Sequence, residues 1–262
     1  MLAHFEGAGA SVTGRDHVLL GRNNQDAVAS WRDSIGIVAV VADGCGSGRS
    51  SEIGAGLGAR LVMEALRSAL PSFDRQPTEA VLADVRRFVL CHLRRLATGL
   101  GGAESGAVAE SLLFTVLSVA VTAETSVIFG LGDGVFSVNG RTTVLTSDDN
   151  APAYLSHSLR ERAEGKELEG RFPFTIHAEL PTREVETLVV ATDGLSESIE
   201  TEAIRTLLGD ETLLSHPSGL ARRLRVLARP TQRIDWAARR VEREPGLFRD
   251  DATLFVVRRT RS

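Results

Sequence analysis

Aromatic residues are scarce in this chain. Ten Phe, two Trp and one Tyr amount to 5% of 262 residues. Base-stacking platforms for single-stranded nucleic acid are therefore not indicated. A basic excess is missing too: the net charge is −4 and the pI about 5.9, which argues against a dedicated nucleic-acid binder. There are two cysteines, Cys45 and Cys91, and no CxxC pair, so neither a disulfide framework nor a structural zinc site is expected. The six histidines show no HxxxH spacing. No apolar run approaches the ~20 residues of a membrane span. The opening MLAHFEGAGASV has neither a basic n-region nor an apolar h-region, so no signal peptide is expected. A cytoplasmic protein with no membrane or nucleic-acid partner is the expectation.

What is present is globular: 43% hydrophobic and 24% charged residues. That composition suits one domain over residues 1–262 with a sizeable core. The glycine-bearing stretch Thr98 to Glu110 reads as an internal loop.

Ile35 to Ala42, IGIVAVVA, reads as a strand buried on both faces. It runs into Asp43-Gly44-Cys45-Gly46-Ser47-Gly48, a tight backbone at a strand end. Helices are expected over Ser51 to Leu70, stopped by Pro71, and over Thr78 to Leu96, where Val81, Val85, Val89 and Leu93 form a stripe. Strands follow at Leu112 to Thr122, Thr125 to Leu131, Val135 to Val138 and Arg141 to Leu145, with a hairpin turn at Asn139-Gly140. Phe174 to Glu179 and Glu186 to Thr192 are further strands. Helices are expected at Leu195 to Leu208, Gly219 to Ala228 and Gln232 to Glu244. Ala252 to Arg258 is the last strand. Helices grouped between blocks of hairpin-linked strands point to an α+β layered architecture.

Four acidic positions share one context. Asp43 and Asp193 each end an apolar strand and precede Gly. Asp133 lies in Gly-Leu-Gly-Asp-Gly, and Asp250-Asp251 precede the final strand. Asp26, in NNQDA, opens the short apolar segment Ala27 to Trp31. A single Asp-Gly after a strand is more often a turn than a ligand. The recurrence at several strand ends is harder to explain as turns alone. Clustered carboxylates resist ionising unless something positive offsets them, and hard oxygen ligands match Mg²⁺ or Mn²⁺ rather than zinc.

In these residues the chain resembles the PP2C (PPM) family of metal-dependent serine/threonine protein phosphatases. Asn23-Asn24-Gln25-Asp26 is similar to its early acidic motif, and Val41-Ala42-Asp43-Gly44-Cys45-Gly46 to its Asp-Gly-x-Gly motif. Gly132-Asp133-Gly134, Thr192-Asp193-Gly194 and Asp250-Asp251-Ala252-Thr253 resemble the later motifs, in the same order. The His17…Asp26 opening and the Asn150-Ala151-Pro152-x-Tyr154-Leu155 stretch look most like a bacterial branch.

The resemblance implies a four-layer αββα sandwich with two Mg²⁺ or Mn²⁺ ions between its antiparallel sheets. Asp43 would bridge both ions and the Gly44 carbonyl would bind one. Asp193 and Asp250 would complete the other, Asp26 would hold metal-bound water, and Asp133 would help bind a third, weaker ion. The chemistry implied is hydrolysis of phosphoserine or phosphothreonine by a bridging hydroxide, with no covalent enzyme intermediate. The partner implied is a phosphorylated protein, by analogy a serine/threonine kinase or its target.

Three features depart from the pattern. Gln25 is neutral where many members are acidic, which bears on the water shell of one ion. Gly21 stands where many members carry a phosphate-binding arginine; Arg22, one residue on, either reaches the phosphate or is a solvent-exposed arginine. Cys45 stands where some have a histidine. Gln25 and Arg22 favour a rival reading, a catalytically impaired regulatory or binding module; Asp43, Asp193 and Asp250 oppose it. A cysteine phosphatase centred on Cys45 lacks the arginine six positions on, which is Ser51. A nucleotide site at Gly44-x-Gly46-x-Gly48 lacks the Gly-Lys-Ser/Thr. The Arg-rich segment Arg222 to Arg243 reads as the solvated face of two helices, with partner docking as the alternative.

Overall fold

The structure, a computed structural model, describes residues 4–147, 151–160, 172–216 and 218–260. Asn150 lies outside the described residues. The chain begins with strand β1 (Phe5–Val12), helix α1 (Arg15–Leu20), β2 (Asp26–Arg32) and β3 (Ile37–Asp43). Two long helices follow, α2 (Ser51–Ala69) and α3 (Thr78–Gly99), then the short α4 (Gly106–Ser111). The hairpin block is β4 (Val116–Val121), β5 (Thr125–Leu131), β6 (Gly134–Val138) and β7 (Arg141–Leu145). After it come α5 (His157–Arg160), β8 (Thr175–Pro181) and β9 (Thr187–Ala191). Helices α6 (Glu202–Gly209), α7 (Thr212–Ser215) and α8 (Gly219–Ala228) precede β10 (Thr231–Asp235), β11 (Arg240–Glu244) and β12 (Ala252–Arg259).

Two five-stranded antiparallel sheets, ordered β1-β12-β9-β6-β7 and β2-β3-β4-β5-β8, face each other. Strand β3 shows why its sequence is apolar throughout. Val38, Val40 and Ala42 pack under α2 and α3, while Ile37, Ala39 and Val41 enter the core between the sheets. Strand β12 does the same: Leu254 and Val256 meet α6 and α8, and Phe255 and Val257 meet the facing sheet. Period-two alternation between two apolar layers produces the αββα sandwich expected from the sequence.

Several local expectations are corrected. Gln232 to Glu244 is not a helix; it holds most of an antiparallel ribbon, β10-β11, in register Ile234↔Val241. Ile234, Ala237, Ala238 and Val241 fall at helical spacing, which is why the segment reads as a helix, but the chain reverses between Asp235 and Arg240 and its two aliphatic β-branched residues face each other across the ribbon. The Arg-rich segment is therefore a helix and a ribbon, not two helices. The helix expected from Leu195 starts only at Glu202, where the Thr201 hydroxyl caps the Ile204 amide. Upstream, the Ser198 hydroxyl donates to the Leu195 carbonyl and competes with helix. The strand expected from Leu112 starts at Val116. Within Thr98 to Glu110, Ser105 caps the short α4.

Strands β1 and β2 were not anticipated. In β1 the glycines leave room for the Phe255 ring: a Cβ at Gly7 or Gly9 would stand about 3 Å from it, at 2.9 and 3.0 Å.

Candidate metal centre

The acidic side chains converge at one end of the inter-sheet layer. Counting by two from Ile37 along β3 puts Asp43 on the inter-sheet face, one step beyond Val41. Asp26, at the start of β2, stands directly opposite Asp43 in the ladder. Asp193 follows β9 in a single turn of 3₁₀-helix. Asp133 sits between β5 and β6, flanked by Gly132 at φ 101° and Gly134 at φ 144°. Both backbones take the positive φ that side chains resist, and a Cβ on Gly134 would lie 2.8 Å from the Ala191 carbonyl oxygen. That turn delivers Asp133 to the others.

Carboxylate oxygens of Asp43, Asp133 and Asp193 all lie within 4.8 Å of one another. Burial is the chief reason each resists ionisation, and mutual repulsion adds to it for two of them. Asp43 is held well above the ordinary carboxylate range by burial, then by the charges of Asp26, Asp193 and Asp250. Asp193 is pushed up to about 6 by burial, then by Asp133 and Asp250. Asp26 rises to about 7 through burial, although the Thr192 hydroxyl donates to it at 2.7 Å and partly offsets the effect. Burial also raises Asp133. This is a set of oxygen donors whose negative charge is unbalanced, which is what a hard divalent cation would neutralise.

Asp250 is at the rim. It is not in the close trio, though its charge acts on Asp43 and Asp193. It forms a second group with His17 and Asp251. A cleft of about 510 Å³ opens beside Asp133, Asp193 and Asp250, with Asp16, Glu197 and Arg249 on its walls.

Asp251, only 3% exposed, is a latch that sequence reasoning missed. Its carboxylate accepts from the Gly14 amide at 2.8 Å, the Gln25 amide at 2.6 Å and His17 Nδ1 at 2.8 Å. One side chain thus ties the entries to α1 and β2 to the start of β12. Its position in an Asp-Asp pair before a strand was visible; its three donors, from residues more than 220 positions away, were not.

The other expected residues are placed as follows. Gly44 donates its amide to the Gln25 carbonyl at 3.1 Å. Gln25 is 4% exposed and packs beneath the glycine loop, where its side-chain amide donates to the Gly48 carbonyl at 3.2 Å and its Oε1 has no partner. Arg22 is exposed, and its Nη1 donates to the Gly46 carbonyl at 2.9 Å, which lays the guanidinium over the loop after Asp43. Cys45 is half-buried; burial opposes its ionisation, but hydrogen bonds from Ser47 and Tyr154 outweigh this and lower its pKa. Tyr154 is raised by burial first and then by Cys45, Asp43 and Asp133, so it also borders the centre.

A profile of the family described as "Protein phosphatase 2C" matches residues 13–233. No curated protein sequence matches. Among solved structures, a bacterial serine phosphatase is similar at TM-score 0.60 and 17% identity, over 99% of both chains. Serine/threonine phosphatase Stp1 from Staphylococcus aureus is similar at TM-score 0.57 and 16% identity, over 97% of this chain and 94% of that one. The catalytic domain of serine/threonine protein phosphatase PstP, in complex with two manganese ions, is similar at TM-score 0.53 and 18% identity, over 98% and 99%. At these identities the likeness establishes the shared fold.

Proposed function

Since the chain belongs to the protein phosphatase 2C family, we propose that it hydrolyses phosphoserine and phosphothreonine in proteins at a Mg²⁺- or Mn²⁺-loaded carboxylate centre. The observation that carries this reading is the convergence of Asp43, Asp133 and Asp193 within 4.8 Å, with Asp26 opposite Asp43. Asp43, Asp133 and Asp193 would hold the cations, with Asp250 and the Gly44 carbonyl at the margin and Asp26 as an acceptor for water.

When bound, the cations acidify water to a nucleophile at neutral pH and offset charge on the phosphoryl oxygens. The chain's own residues supply position and proton handling. Beside the cations the Asp26 carboxylate would stay ionised and would accept a hydrogen bond or a proton from water at the centre. Thr192 fixes its orientation through the 2.7 Å hydrogen bond. Arg22, anchored on Gly46, would present an exposed cation to a phosphate entering over the glycine loop. The pairing of these groups on rigid strand ends gives the pre-organisation that such hydrolysis needs.

Against the alternative of a non-catalytic module, which rests on Gln25 and Arg22, stands the burial of Gln25. Its side chain holds the glycine loop, so its neutrality is explained by packing without reference to a cation's water shell. The deciding experiment is Mn²⁺-dependent release of phosphate from a phosphothreonine peptide by wild type and Asp43→Ala. Activity that needs Mn²⁺ and vanishes in the variant upholds the proposal. A wild type inactive at saturating Mn²⁺ and Mg²⁺ would return the chain to the binding-module reading.

A further inference from the structure

The ribbon β10-β11 is the least covered element of the fold. Nine of its ten strand residues are exposed. It leaves the body after α8 and rejoins it where the Leu247 amide bonds the Leu227 carbonyl at 2.9 Å. An isolated two-stranded hairpin is marginally stable in water, so one whose apolar centre stays exposed among the described residues is poised for a covering surface.

Its two faces differ. The register puts Ile234, Val241, Gln232 and Arg243 on one face, and Arg233, Asp235, Arg240 and Glu242 on the other. The second face carries its own ion pairs: Arg240 reaches Glu242 at 2.5 Å and Asp235 at 3.8 Å. The first has an apolar centre, with Ile234 50% and Val241 54% exposed, and Trp236 at the adjoining turn is 81% exposed. Arg243 and Arg239 flank it.

The cationic character extends onto α8. Residues 222–244 hold eight arginines, all exposed, against three acidic residues, a net of +5 in a chain whose net charge is −4. Among the described residues only Arg240 of the eight takes part in an ion pair within 4 Å.

We propose that this ribbon and the adjoining face of α8 dock a protein segment in which acidic residues alternate with aliphatic or aromatic ones. An exposed Trp flanked by Arg is the composition that dominates binding energy at protein interfaces. A ribbon with free edges also suits addition of an extended strand from a partner. Charge selects the occupant. In a two-fold pairing with a second copy, Arg239 and Arg243 would meet cations of the same patch, whereas an acidic segment neutralises them. The surface lies outside the carboxylate centre and does not depend on its chemistry.

The test is selection from a random peptide display library on the full chain. Enriched peptides are then measured by fluorescence anisotropy against wild type, R239E/R243E and W236S/V241S. The expected result is peptides that combine Asp or Glu with Leu, Ile, Val or Phe, bound at least tenfold more weakly by both variants and less tightly as NaCl rises. A third variant, in which a short Gly-Ser turn replaces residues 232–243, should lose the same binding while keeping the wild-type circular dichroism spectrum. Three outcomes overturn the proposal: no enrichment or enrichment without acidic residues, equal affinity for wild type and variants, or ribbon-dependent capture of phosphatidylserine vesicles or duplex DNA in place of the peptides.

Discussion

Asp26 and Asp43 face each other across adjacent strands, so two carboxylates occupy one rung of a ladder inside the protein. Like charges directly opposite destabilise a sheet pair, here at a site where burial also disfavours both. The arrangement makes sense as a liability of the metal-free chain that a cation relieves. Asp43→Asn should therefore stabilise the metal-free protein at pH 7.5 by about 1 kcal/mol, a rise of ~2–4 °C in Tm. The same variant should lose the increase in Tm that Mn²⁺ gives wild type. Thermal melts in EDTA and in millimolar Mn²⁺ check both; a lower Tm for the metal-free variant would count against the relationship.

The raised carboxyls also set a pH dependence. A carboxyl whose folded pKa exceeds its ordinary 3.8 stabilises the fold while protonated. That contribution is complete below about 3.8 and is lost as pH rises through about 6 for Asp193 and about 7 for Asp26. Metal-free protein should lose stability from these groups as pH goes from 5 to 8. Saturating Mn²⁺ should flatten or reverse the trend, because the cation competes with protons for the same oxygens. Melts across that range, with and without chelator, decide it, and a metal-free Tm that climbs towards pH 8 would contradict the picture.

Asp251→Ala should be among the most damaging single changes. It strands the Gly14 and Gln25 amides, which now bond its carboxylate at 2.8 and 2.6 Å, and removes the anchor of His17. The expected loss is about 3 kcal/mol or more by urea denaturation. Asp251→Asn should recover only part of it, since one amide oxygen replaces two acceptors and the NH₂ meets a donor. A near-neutral Asp251→Ala would show that the latch contributes little.

Gln25→Glu makes position 25 acidic, as in many relatives, yet it should not help. The new carboxylate would be buried and turned on the Gly48 carbonyl oxygen that the amide now bonds. The expectation is a loss of about 2 kcal/mol in stability and no gain in kcat. An increase in Mn²⁺-dependent turnover would mean that residue 25 reaches the cations after all.

Much of the architecture was readable because its elements obey a clear period. The helices α2 and α3 carry apolar stripes, β3, β5 and β9 are apolar runs that end in turn residues, and β12 is an apolar run that begins after Asp250-Asp251. Elements that broke the pattern were missed for definable reasons. Strand β1 hides behind glycines whose purpose is the Phe255 ring, a residue 246 positions from Gly9. The ribbon β10-β11 was misread because Ile234, Ala237, Ala238 and Val241 fall at helical spacing although the chain turns back between them. Its arginines and its Ala-Ala turn resemble an exposed helix when read along the chain.

The amino-acid sequence by itself determined which strands end in an aspartate, the order of those motifs and hence the family, because short-range patterns of apolar residues, glycine and carboxylate are local properties. Tertiary structure alone decided which carboxylates share a rung or converge, that Gln25 serves the glycine loop, that Asp251 joins three segments, and that Trp236 is left uncovered. Each of these depends on contacts between residues far apart in the chain, and such contacts exist only once the two sheets have packed and fixed the distances between their ends.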